Sequence, residues 1–230
     1  MIKVLMFDVD NTLLDFGKCS EMSIRKAFSE AGLPLDSNVL KVFPEINEIL
    51  WNRVEEKTLT VEELWKIRWN IIFERLNIDY DGVKFEKIFH VYLSKSHVPM
   101  QGAKSLLETA KGKYRMFIAS NAPKGQQEYR LSKENMLCCF ERLFVSGDIG
   151  VFKPSKEFFD ICIKSINVPK KEIMMIGDSY TADITGAYNA GIKTCWFNPS
   201  HKKIASDAKP DFEFSSLAEI EKFIAEDINI

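Results

Sequence analysis

The sequence predicts an α/β protein in which a doubly wound parallel sheet is interrupted by an inserted α-helical domain. Three observations lead there. Residues 1–7 form a short run, mostly apolar or β-branched, that suits a buried parallel strand and stops at Asp8-Val9-Asp10. Over residues 16–98 strand signals are almost absent, while apolar side chains recur at helical spacing. From Val98 onward apolar runs alternate with helical patterns, the order that builds a parallel sheet through right-handed crossovers. The expected division is a core of residues 1–15 and 99–230 with a helical domain, residues 16–98, inserted in it.

At 230 residues, with 46% hydrophobic and 28% charged side chains, the chain has the make-up of an ordinary globular protein with room for one large domain and an insertion. A net charge of -2 gives no electrostatic reason to expect a nucleic-acid polymer or an anionic membrane as partner. No apolar run reaches the length of a membrane span. Asp8 and Asp10 break the N-terminal run too early for a signal peptide. The cysteines Cys19, Cys138, Cys139, Cys162 and Cys195 show neither Cys-x-x-Cys nor a zinc spacing. They read as reduced thiols of a cytoplasmic protein, with the adjacent pair Cys138-Cys139 in the core at a helix end.

The helical block divides into four. Residues 23–31 have helical spacing and stop at Gly32, with Pro34 beyond. Phe43-Pro44 opens a second pattern through Ile46, Ile49, Leu50 and Val54. Thr60-Val61-Glu62-Glu63 reads as a capping box for a third helix, through Leu64, Trp65, Ile67, Ile71, Ile72 and Leu76. A fourth runs through Phe85, Ile88, Phe89 and Leu93. Such a stretch is too long for a plain βα connection. Trp51, Trp65 and Trp69 read as core of this bundle, with a substrate-facing wall as the alternative.

Beyond it, helices are expected over residues 102–111, 124–135, 155–166, 181–190 and 218–225, and strands over 114–119, 143–146, 172–176 and 192–197. Parallel strands present their carboxyl ends along one edge, where open α/β sheets bind ligands. Side chains at i and i+2 of a strand point the same way, so Asp8 and Asp10 share one side of the first such end. Two like charges that close call for a cation, and a divalent metal with a preference for oxygen suits them. An ordinary turn through Asn11-Thr12 is the competing reading. The second strand ends in Ser120-Asn121, a hydroxyl followed by backbone amides that enter a helix. That arrangement suits phosphate oxygens and is also a common structural turn. The third leads to Lys153-Pro154; a residue before proline is kept out of the α region, so this lysine can be aimed inward, although alone it reads as a surface residue. The fourth delivers Gly177-Asp178, with Asp183 about one helical turn on, and an N-cap role for Asp178 competes.

Taken in order, Asp8-Val9-Asp10-Asn11-Thr12, Ser120, Lys153-Pro154 and Gly177-Asp178-x4-Asp183 resemble the haloacid dehalogenase superfamily of phosphotransferases. The inserted block resembles that superfamily's type-1 helical cap, and the likeness spans nearly the whole chain. Serine at 120 replaces the commoner threonine and keeps the hydroxyl. Outlying segments, residues 46–51, 74–77, 126–131 and 189–198, are similar to the bacterial pyrimidine 5′-nucleotidase branch.

The resemblance implies a Rossmann-like core and a Mg²⁺-dependent phosphomonoester hydrolase working through an aspartyl-phosphate. On that pattern Asp8 is the nucleophile, and Asp10 is first the general acid and then the base. Ser120, Asn121 and Lys153 hold the phosphoryl group. Asp8, Asp178 and the backbone carbonyl of Asp10 hold Mg²⁺, and Asp183 orients Lys153 or a metal water from behind. The cap closes over the site and selects the substrate. That substrate is expected to be a small phosphate ester, a pyrimidine nucleoside monophosphate before others, acted on by a monomer or homodimer.

The alternatives are a phosphatase of a sugar phosphate or phosphoglycolate, a sugar-phosphate mutase, a dehalogenase, or a non-catalytic binding module. A dehalogenase needs neither Asp10 as acid nor Mg²⁺, so Asp10 and Asp178 argue against it. Intact motifs argue against a non-catalytic module. His90, His97 and His201 lie outside every motif and carry no assigned function.

Overall fold

The computed structural model describes residues 1–204 and 207–226. The chain divides into two compact units, one of Met1–Asp15 with the chain from His97 onward, the other of Phe16–Ser96. In chain order, β1 (Val4–Phe7) is followed by α1 (Phe16–Glu30), α2 (Ser37–Glu55), α3 (Val61–Leu76) and α4 (Gly82–Leu93). Then come α5 (Ala103–Ala110), β2 (Arg115–Ser120), α6 (Lys124–Lys133), β3 (Arg142–Val145), α7 (Ser146–Ile149) and α8 (Lys156–Ile166). The chain continues through β4 (Ile173–Gly177), a π-helical stretch (Tyr180–Thr185), α9 (Gly186–Ala190), β5 (Lys193–Phe197), β6 (Phe212–Phe214) and α10 (Leu217–Ala225).

In the first unit six parallel strands lie in the order β3-β2-β1-β4-β5-β6, so the fold is the expected doubly wound α/β sheet. The strands read as continuous apolar runs because both of their faces are buried. Leu5 and Phe7 of β1, Met116 and Ile118 of β2, and Met174 and Ile176 of β4 pack on one side with α5 and α10. Val4 and Met6, Phe117 and Ala119, and Ile173 and Met175 pack on the other side with α8 and α9. Phe7 pairs with Ile118 and with Ile176, which puts the residues following β1, β2 and β4 at a common edge.

The second unit packs α1 to α4 around Trp69, which is wholly buried. Its ring lies against Phe28, Phe43, Phe73, Phe85 and Phe89, at centroid distances of 4.5 Å to Phe85 and 5.2 Å to Phe89. Trp51 and Trp65 are half-buried, so only Trp69 of the three tryptophans is full core. Beside Trp69, the buried Arg68 donates twice to Glu86 and once to Asn47.

Several expectations are corrected. The second helix starts at Ser37, with the Asp36 side chain accepting from Asn38 N, and Pro44 lies inside it rather than opening it. The cap sets the start, and Val39, Val42, Phe43 and Ile46 already bury at helical spacing from there. The Thr60 capping box forms as read. Strand β6 escaped the sequence reading because it is three residues long and only half-buried at the sheet edge. Cys138 and Cys139 sit in a short 3₁₀ turn (Leu137–Cys139): Cys138 is exposed, not core, while Cys139 is half-buried and packs against the edge of the core.

Candidate active site

The carboxyl edge of the sheet gathers residues from four separate segments. Lys153 stands at the centre, and its side chain is 2% exposed. Its Nζ donates to Asp8 Oδ1 at 2.7 Å, to Asp183 Oδ1 at 2.6 Å and to the Ala119 carbonyl at 2.7 Å. An ammonium has three donors, and all three are used here. What Lys153 offers a phosphoryl group in this arrangement is therefore charge rather than a free N–H. Asn121 explains its placement. The Asn121 side chain accepts from Lys153 N at 2.9 Å and donates to Lys153 O at 3.0 Å. Both ends of that side chain thereby bind the lysine's backbone and fix where Lys153 leaves it.

Asp178 follows β4 and does not cap the next helical turn. Ser179 does, accepting from Ala182 N, so the Asp178 carboxylate is left to the site. Asp178 Oδ1 accepts from Thr12 Oγ1 at 3.3 Å, and its carbonyl accepts from Trp196 Nε1 at 3.0 Å. Asp183 is fully buried, with Oδ1 on Lys153 and Oδ2 accepting from Ser179 N at 3.1 Å. It can lie there only because residue 177 is glycine. A Cβ at Gly177 would come within 2.1 Å of Asp183 Oδ2 and 2.7 Å of Asp183 Cβ.

The electrostatics of this cluster leave positive charge wanting. Oxygens of Asp8, Asp178 and Asp183 lie within 4.8 Å of one another. Burial raises the Asp8 carboxyl to about 7 against the pull of Lys153, with Asp183 and Asp10 adding to the rise. Burial, then the charges of Asp8 and Asp183, hold Asp178 well above the ordinary carboxylate range. Burial raises Asp183 as well, outweighing Lys153. Burial by itself would lower Lys153, but Asp183 and Asp8 more than offset it and keep the ammonium charged. Three carboxyl groups facing one ammonium, each pushed by burial toward its neutral form, make an all-oxygen donor set in which a hard divalent cation such as Mg²⁺ would favour the ionised state. Asp183 accepts through both oxygens, from Lys153 Nζ and from Ser179 N, while Asp8 and Asp178 each accept one side-chain hydrogen bond, from Lys153 and from Thr12.

Asp10 and Ser120 occupy a second, adjoining network that the sequence reading did not foresee. Arg130 Nη1 donates to Asp10 Oδ1 at 2.7 Å, and Gln127 Nε2 donates to Asp10 Oδ2 at 2.9 Å and to Ser120 Oγ at 3.0 Å. Gln127 and Arg130 come from α6, in the segment whose likeness to the nucleotidase branch was noted without a role. The available signal was two long polar side chains three residues apart, next to the apolar Leu131, on a helix directly after Ser120.

Residues 2–191 match the family of haloacid dehalogenase-like hydrolases. The chain belongs to that family. The HAD-hydrolase YfnB of Bacillus subtilis is 31% identical over 219 residues, 95% of this chain and 93% of its own. Pyrimidine 5′-nucleotidase PynA of Streptococcus pneumoniae is 30% identical over 220 residues, with 95% and 93% covered. Pyrimidine 5′-nucleotidase YjjG of Escherichia coli is 28% identical over 221 residues, 96% of each chain. The crystal structure of YfnB bound to magnesium superposes with a TM-score of 0.92 at 30% identity, covering 97% of this chain and 98% of that one. As a haloacid dehalogenase-like hydrolase the chain is an enzyme, and its acidic cluster lies where open α/β sheets bind their ligands.

Proposed function

We propose that this hydrolase is a Mg²⁺-dependent phosphatase that works through an aspartyl-phosphate on Asp8, and that its substrates are pyrimidine nucleoside 5′-monophosphates. The observation that carries the chemistry is the division of labour between two carboxylates two residues apart. Asp8 is tied to Lys153 inside the acidic cluster, whereas Asp10 is tied to Arg130 and Gln127 beside Ser120. Similarity to PynA and YjjG supports the nucleotide substrate.

Asp8 attacks phosphorus as the ester oxygen departs, and Asp10 supplies the proton that the leaving 5′-alkoxide needs. Asp10 then takes a proton from the water that cleaves the aspartyl-phosphate, releasing inorganic phosphate and restoring Asp8. Lys153 lends fixed positive charge to the transferring group, and the Ser120 hydroxyl holds one of its oxygens. Asp8, Asp178 and the Asp10 carbonyl are the groups that would hold Mg²⁺. Bound there, it would supply the positive charge that lets a phosphate dianion approach a carboxylate. Asp183 keeps Lys153 in place.

The roles assigned to these side chains all concern the phosphoryl group and the leaving oxygen, so discrimination among leaving groups falls to other residues of the chain. The test is kcat/KM for deoxyuridine, thymidine, uridine, adenosine and guanosine monophosphates beside glucose 6-phosphate, ribose 5-phosphate and phosphoglycolate. A pyrimidine preference of tenfold or more, on the order of the 1.4 kcal/mol that one good contact contributes, is the expected result. Preference for a sugar phosphate or phosphoglycolate would overturn the nucleotidase reading and leave the aspartyl-phosphate chemistry standing. No helix among the described residues is long and apolar enough to cross a membrane, and the expected substrate is a small molecule in solution.

A further inference from the structure

We infer that Gln127 is a positioning residue that sets two groups of the site at once, the Asp10 carboxylate and the Ser120 hydroxyl, with Arg130 locking its amide in the required orientation; the inference deepens the phosphatase reading above and rests on it.

Gln127 and Arg130 are both wholly buried, which is rare for side chains of their polarity unless their partners are well supplied. Arg130 Nη1 donates to Asp10 Oδ1 and, at 3.0 Å, to Gln127 Oε1. An arginine has only donors, so the Gln127 atom facing it must be the carbonyl oxygen, and the amide cannot be flipped. Nε2 therefore points the other way. Its two hydrogens go to Asp10 Oδ2 and Ser120 Oγ, at 2.9 Å and 3.0 Å.

Two consequences follow for the chemistry. Asp10 is held through both oxygens by one helix, which restricts the swing of its carboxylate. Ser120 Oγ accepts from Gln127 Nε2 and from Ala122 N, at 3.0 Å and 3.2 Å, so both of its lone pairs are occupied. Its hydrogen is then free to be given only outward, and among the described residues no acceptor takes it. A freely turning hydroxyl would present a lone pair to an incoming phosphoryl oxygen for part of the time. A hydroxyl pinned by Gln127 presents a donor. If the network served only to satisfy a buried arginine, neither leaving-group dependence nor phosphate affinity would report on it.

The test uses the full-length Mg²⁺-loaded enzyme with Gln127→Met, Gln127→Glu, Arg130→Lys and Arg130→Met. Two esters are compared: a pyrimidine nucleoside monophosphate, whose alkoxide needs a proton to leave, and p-nitrophenyl phosphate, whose phenolate does not. Gln127→Met should cost roughly 30-fold more in kcat on the nucleotide than on p-nitrophenyl phosphate, part of the ~10²–10⁴-fold worth of a well-placed acid. Inorganic phosphate, titrated by calorimetry, should bind about tenfold more weakly, as expected for loss of one charge-assisted hydrogen bond. Gln127→Glu keeps an oxygen toward Arg130 but no donor toward Ser120, and should behave like Gln127→Met. Arg130→Lys should retain more nucleotide turnover than Arg130→Met. Equal losses on the two esters, with phosphate affinity unchanged, would overturn the inference. If an arginine variant fails to fold, the two glutamine variants decide. If wild type hydrolyses neither ester, it is the phosphatase reading that fails, and the phosphate titrations of wild type and Gln127→Met still report on the Ser120 arm.

Discussion

Lys153 Nζ lies 2.7 Å from Asp8 Oδ1, a contact between residues 145 apart in sequence that joins the segment before α8 to the end of the central strand. Around this pair the carboxyls of Asp8, Asp178 and Asp183 crowd a single ammonium. Asp8→Asn removes one of the crowded charges, so the variant should fold as well as wild type. Its hydrolysis of any phosphate ester should fall by at least ~10³-fold, since an amide does not replace a carboxylate nucleophile. Turnover within tenfold of wild type would remove Asp8 from the mechanism. The thermal midpoint without metal should stay at or above that of wild type.

Chelation offers an independent check. Activity should vanish in EDTA and return with Mg²⁺, and Mg²⁺ should also raise the thermal midpoint of wild type, because a ligand held only by the folded state stabilises it by mass action. Asp178→Ala should lose both responses together. Hydrolysis that persists in chelator would refute the metal assignment whatever the thermal shift shows.

Lys153→Met leaves buried carboxylates without their ammonium. Removing one partner of a buried ion pair typically costs about 3–5 kcal/mol, and the metal-free variant should show a loss of that order in urea unfolding at neutral pH. Adding Asp183→Asn to it should recover part of the loss. A change below about 1 kcal/mol would mean that the cluster sheds its charge by other means.

His90 gives a prediction in pH. Its ring lies 5.2 Å from that of Trp65, and burial, then the charge of Arg68, push its imidazole below the ordinary 6.5. The folded state thus favours neutral His90, while the unfolded chain protonates it near 6.5. The stability this provides is full above that value and is lost as pH falls from it through the lower value of the folded state. Thermal midpoints of wild type and His90→Gln, measured between pH 8 and 5 in chelator, should show wild type losing ground toward acid. A difference that does not change with pH would refute the shift.

The sheet and the acidic residues at its edge were legible in the sequence for a simple physical reason. Strands buried on both faces leave unbroken apolar runs, as in Ile173-Met-Met-Ile176, and the polar residue that ends each run marks the edge where ligands bind. Helix starts with reciprocal side-chain caps, such as Thr60 with Glu63, were legible because the signal is local. The start of α2 was not read correctly, since Pro44 is a stronger local mark than the Asp36 cap.

What periodicity could not supply was the partner of each side chain. Asn121 and Lys153 meet because β2 lies next to β3, and Gln127 and Asp10 because β2 lies next to β1, and strand order is decided by packing of the whole core rather than by any local pattern. The same holds for Asp178, which local propensity offered as a cap until Ser179 took that place, and for Cys138, which an apolar neighbourhood drew inward and the 3₁₀ turn left exposed. Sequence by itself determined which residues could do chemistry at the sheet edge. Tertiary structure alone decided which are spent on one another, because a buried polar atom must find its partner wherever the fold brings one.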